Sequence, residues 1–142
     1  MSVAIYEDES GGTCIVIAAA GFDLATEAAN AGKPFQIVSR ASLPGSRVFR
    51  DAWKPGQGRV DVDLIKAQKI HMGRIRAERD KALTSLDLDY LRADERGAAA
   101  EKVAIAAEKQ RLRDLPETFD LTGAETPEAL NALWPEGLSR EV

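Results

Sequence analysis

Short apolar runs occupy the first third of the chain, and long stretches with helical spacing occupy the rest. "SVAIY" and "TCIVIA" have strand length and are separated by the turn-rich "EDESGG", which predicts two strands joined by a loop. Asp23 stands where an N-cap belongs, ahead of "LATEAANA", with Gly32 at the C′ position and Lys33-Pro34 closing a short helix. "PFQIVS" predicts a further strand and "LPGS" a turn. In "RVFRDAWKPGQG", Phe49 and Trp53 are four apart and would face one way in a helical turn. The glycines of "PGQGR" lack a preceding strand and the spacing of either nucleotide-binding loop, so this stretch reads as a linker.

From Asp61 onward the pattern turns helical. Ile65, Met72, Ile75, Ala82 and Leu86 recur at steps that fit one helical face, among good helix formers, and predict a helix of about 20 residues or more. "RADERG" is the natural break. "AAAEKVAIAAEKQRLRDL" then predicts a second helix, rich in alanine, with Ile105, Leu112 and Leu115 on one line. Pro116 has no N–H and biases Leu115 out of the α region, so this helix is expected to end there. The short connection implies an antiparallel helical hairpin. An alanine stripe buries little area, so the second helix needs a neighbour, within the chain or outside it. "TPEALNALW" predicts a last short helix, with Thr126 as N-cap and Pro127 at N1. The expected class is therefore α+β: a small ββαβ-like unit over residues 1–57, then a helical unit over residues 58–142 made of the hairpin and the short terminal helix.

Composition narrows the chemistry. The chain has 142 residues and a net charge of −4, which provides no global basic field for nucleic acid or an anionic membrane. "CIVIAAAGF" falls far short of the roughly 20 apolar residues that span a bilayer, and it lacks the basic start of a secretory signal, so the expected compartment is the cytoplasm. With one cysteine and one histidine, neither an intrachain disulfide nor a Cys/His zinc site can form. Cys14 reads as apolar filler, and His71 as a solvated or rim residue. Asp87, Asp89, Asp94 and Glu95 match neither a paired-carboxylate hydrolase nor a calcium loop and read as caps and surface charge. The basic face carrying Lys66, Lys69, Arg74, Arg76, Arg79 and Lys81 is interspersed with acids and has no interleaved aromatics, the pattern of a solvated face more than of a nucleic-acid site. No enzymatic site, metal site or cofactor is expected.

"RIRAERDKALTSLDLDYLRAD" (residues 74–94), "EKQRLRDLPETF" and the terminal "ALNALWPE" together resemble the C-terminal segment of bacteriophage tail fibre assembly chaperones. The matching positions are Arg76, Arg79, Leu83 and Asp87, then Leu112 to Pro116, then Trp134 and Pro135. Leu88 stands where that family has a tryptophan, and "IAAEKQR" replaces its Trp and Tyr ahead of "LRD". The resemblance implies a protein that binds the distal part of a phage tail fibre and assists its folding and trimerisation in the host cytoplasm. The alternative it leaves open is a permanent virion component, a tail-tip or fibre-cap protein; a small nucleic-acid-binding regulator ranks behind both, and a homo-oligomer fits either of the first two. The expected contact surface is Phe49, Trp53 and Trp134, with Arg111 and Arg113 at a polar rim. Each of these aromatics also has a strong rival reading as a core residue.

Overall fold

The computed structural model describes residues 1–141, and the chain divides into two compact units, Met1–Ala67 and the remainder from Gln68 on. The first unit extends ten residues beyond the expected boundary because the segment after Gly58 is still β-structure.

The first unit is built on a three-stranded antiparallel sheet in the order β2-β1-β3, comprising β1 (Ser2–Glu7), β2 (Thr13–Val16) and β3 (Gln36–Ser39). Val3, Ala4 and Ile5 of the central strand are all fully buried, so both faces of the sheet are covered. On one face Val3, Ile5 and Val38 form a cluster with Trp53 and Val60, against which Ile15, Leu43 and Val62 pack. Ala4 points to the opposite face, and α1 (Leu24–Ala29) lies against β1 with Ala28 fully buried. The small side chains let helix and strand approach closely. Asp23 caps α1 as expected, its carboxylate accepting from the Thr26 backbone N–H at 3.0 Å. The β1–β2 loop is held by Asp8, whose Oδ1 accepts from the backbone N–H groups of Ser10 (2.8 Å) and Gly12 (2.9 Å).

"PGQGR" is the tip of a hairpin and not a linker. Strands β4 (Trp53–Pro55) and β5 (Val60–Val62) pair antiparallel around it. Gly58 has φ +67°, which favours glycine. The Gln36 side-chain amide clamps the turn from β3, donating to the Gly56 carbonyl at 2.9 Å and accepting from the Gly58 N–H at 3.0 Å.

The longest helix, α2 (Leu64–Glu95), runs 32 residues without a proline. It starts later than the change in pattern at Asp61, because Asp61 and Val62 belong to β5 and Asp63 is the cap: its Oδ1 accepts from the Lys66 N–H at 3.1 Å. It ends in a Schellman turn, with Ala98 N–H on the Ala93 carbonyl (2.9 Å), Gly97 N–H on the Asp94 carbonyl (3.0 Å) and Gly97 at φ +66°.

Its buried face is not quite the one expected. Ala67, His71, Ile75 and Ala93 are buried, and Ile65 is 69% exposed. Ile65 lies two residues from Ala67, about 200° around the helix, so it cannot share that face.

Helix α3 (Ala99–Thr118) completes the hairpin. It runs through Pro116 and stops three residues later than expected. The proline removes one N–H from the ladder, but the last turn still closes, with Phe119 N–H on the Leu115 carbonyl at 2.9 Å. A ladder of heptad-spaced groups spans the two helices: Asp94 meets Lys102 at 2.6 Å, Asp87 meets Lys109 at 2.5 Å, and the Tyr90 ring lies between the two ammonium groups. Leu112 and Leu115 are buried and Ile105 partly so. The short helix α4 (Pro127–Ala132) starts at the Thr126 cap, whose Oγ1 accepts from the Ala129 N–H at 3.1 Å, and buries Leu130 completely.

Candidate protein-binding surfaces

The five expected contact residues divide between the two units. Phe49 and Trp53 belong to the first and are each only 3% exposed, which corrects their placement on a contact surface. They also do not share a helical turn: Arg50–Ala52 is a 3₁₀ turn, and Trp53 begins β4. A sheet of three short strands has few large apolar side chains of its own, and Trp53 supplies the largest in the cluster on Val3, Ile5 and Val38.

Trp134, in the second unit, is partly exposed and tied down at three points. Its Nε1 donates to the Leu138 carbonyl at 2.9 Å, the Arg140 guanidinium lies 4.7 Å from its ring centroid, and the ring of His71 meets it edge-on at 5.7 Å and 70°. Its role is to dock the segment after α4, and its exposed part is a minor portion. Arg111 is exposed and grips Glu108 one turn earlier through Nε (2.9 Å) and Nη2 (2.7 Å). That pairing holds the Glu108 carboxyl below its ordinary range and raises the guanidinium. Arg113 is exposed and makes no ion pair among the described residues.

His71 corrects the expectation of a rim residue. It is fully buried, with Nε2 2.6 Å from the Leu133 carbonyl. A carbonyl only accepts, so Nε2 carries the hydrogen. Burial lowers its basicity below the usual value, a trend the positive charges of Arg140 and Arg74 reinforce and the bond to Leu133 partly opposes. The imidazole is thus a buried fastener between α2 and the segment after α4. Cys14 is partly buried beside Tyr6, its cross-strand partner. Among the described residues no group of His, Cys, Asp and Glu is arranged to hold a metal ion. Among the described residues no helix is long and apolar enough to cross a membrane.

The hairpin displays what the reading for aromatic anchors passed over. On α2, Leu88 and Leu91 are three residues apart, on one face, and 49% and 59% exposed. On α3, Val103 is 70% exposed and is flanked by exposed Ala99, Ala100, Ala104, Ala106 and Ala107. The spacing of Leu88 and Leu91, off the line through Ile75, Ala82 and Leu86, is the signal that could have marked them. Comparison of the chain with protein-family models, with curated proteins and with solved structures gives no match.

Proposed function

We propose that this protein is a phage tail fibre assembly chaperone, acting in the host cytoplasm and using its helical hairpin to bind the distal part of the fibre. The observation that carries this reading is the pair of outward-facing leucines, Leu88 and Leu91, within the segment that resembles that family. Leu88 occupies the position where the resemblance places a tryptophan, so a smaller apolar side chain stands there.

Unassembled fibre chains expose apolar, β-rich surface before they register, and a binder that covers it suppresses aggregation and draws the equilibrium toward the bound state. Full burial of a leucine is worth about 1.5–3 kcal/mol. With roughly a third to a half of each already covered, Leu88, Leu91 and Val103 together contribute about 3 kcal/mol at the lower end of that range, near 150-fold in affinity. Association costs more than that, so the interface must extend over the alanine-rich face of α3 and the rim that includes Arg113. The protein has no catalytic part in this role.

Co-expression with the adjacent fibre gene is the test. Soluble fibre yield is expected to rise and the two proteins to co-purify, and Leu88→Glu with Leu91→Glu is expected to abolish both while leaving the helical circular dichroism intact. Unchanged yield with nothing co-purifying refutes the proposal. Stoichiometric recovery in purified particles would instead identify a permanent tail component.

A further inference from the structure

We propose that the first unit carries a separate binding cleft for an acidic peptide segment, one that places an apolar side chain among three arginines. The cleft has a volume of about 500 Å³ and lies over the sheet face that holds the apolar cluster. Ile15, Leu43 and Trp53 form its apolar side together with Ile17, which is 52% exposed, and among the described residues Arg40, Arg47 and Arg50 provide its only charged groups. Among the described residues no carboxylate lines it.

The charge is concentrated here despite the acidic chain. Between Lys33 and Arg59 six side chains are basic and Asp51 alone is acidic. None of the three arginines forms an ion pair among the described residues, whereas Arg59, Arg79, Arg92, Arg96 and Arg111 all do.

Arg50 is already oriented for a ligand. Its guanidinium lies 4.6 Å from the Trp53 ring centroid, and Nη2 donates to the Thr13 carbonyl at 2.8 Å. A guanidinium has five N–H groups in a rigid fork, and a carboxylate takes two of them in parallel. Holding the fork in advance reduces the ordering cost of such a bond.

The same contact disfavours a nucleic acid. Trp53 is 3% exposed with Arg50 on its ring, so no aromatic face is free for a base to stack on. A carboxylate-bearing peptide suits both the cations and the apolar wall. This cleft belongs wholly to the first unit, and the inference stands independently of the fibre-binding role of the hairpin.

The test is fluorescence anisotropy on the full chain, with a labelled peptide of Glu-Leu-Glu triplets, its Gln-Leu-Gln counterpart, inorganic phosphate as competitor and a single-stranded oligonucleotide. Saturable binding of the acidic peptide is expected, weakening with salt, with little binding of the glutamine peptide and little displacement by phosphate. Arg47→Gln, at a side chain exposed to solvent, is expected to weaken binding about fivefold, and Arg40→Gln with Arg47→Gln about 25-fold. Circular dichroism of both variants is expected to match the parent, and the single variant decides the matter if the double variant fails to fold. Absence of saturable binding, equal binding of the glutamine peptide, tighter binding of the oligonucleotide, displacement by phosphate, or an unaffected Arg47→Gln variant each overturns the proposal.

Discussion

Protonating His71 should loosen the second unit as pH falls below 6.5. The imidazole is fully buried, donates from Nε2 to the Leu133 carbonyl and packs edge-on against Trp134. Truncation to alanine removes a hydrogen bond worth about 0.5–1.5 kcal/mol and an aromatic contact of similar size. It also leaves a cavity, so His71→Ala should cost about 2–4 kcal/mol in all.

The pH effect follows from the direction of the shift. Burial lowers the folded-state value below the ordinary 6.5. Above 6.5 both folded and unfolded chains hold neutral imidazole, and the native state has its full stability. As pH falls below 6.5 the unfolded chain takes up a proton that the folded one resists, so stability declines until pH reaches the folded value. The slope in that window is at most about 1.4 kcal/mol per pH unit. Because this is the only histidine, His71→Asn gives a non-titrating reference. Urea denaturation followed by helical circular dichroism at about pH 7.5, 6 and 5 measures both effects. If wild type and His71→Asn lose stability in parallel between pH 6.5 and 5, or if His71→Ala costs under about 1 kcal/mol, the buried fastener is refuted.

Three further outcomes are expected. A double-mutant cycle on Asp87 and Lys109 should give a coupling of about 0.5–1 kcal/mol that shrinks in high salt, and Lys109→Ala should cost more than Asp87→Ala because its ammonium group also lies over the Tyr90 ring; urea titrations of the four proteins measure it. Thr126→Ala should destabilise by about 1 kcal/mol through loss of the cap on α4, with Thr126→Asp close to neutral, read from thermal midpoints. Asp8, Asp23 and Asp120 are held below the ordinary carboxyl value, chiefly by hydrogen bonds from Ser10, Thr26 and Thr122. Their contribution is present above the unfolded value of 3.8 and lost as pH falls through the folded one, so Asp23→Asn should lower stability slightly at neutrality, where the carboxylate acts in full, and flatten the stability profile below about pH 4.

What could be read from the sequence was what neighbours in the chain decide. Asp23, Thr126 and Gly97 act on backbone groups within a few residues, and the ends they set were legible. Failures came where the deciding partner is distant. His71 looks like a solvated residue beside Lys69, Met72 and Arg74 until Leu133, 62 positions on, is brought to it. The "PGQGR" turn is flanked by strands of three residues, too short for alternation to show, and is clamped by Gln36 from another strand. Ile65 illustrates the same limit on a helix: two faces satisfied the spacing, and the larger side chain suggested the wrong one. The aromatics were misplaced for a reason that bears on function. The first unit needs Trp53, with Phe49 also buried, to complete its interior, so neither is left for a partner. Recognition then falls to side chains the core does not use: the exposed leucines of the hairpin in one unit, and in the other the arginines ranged around Trp53.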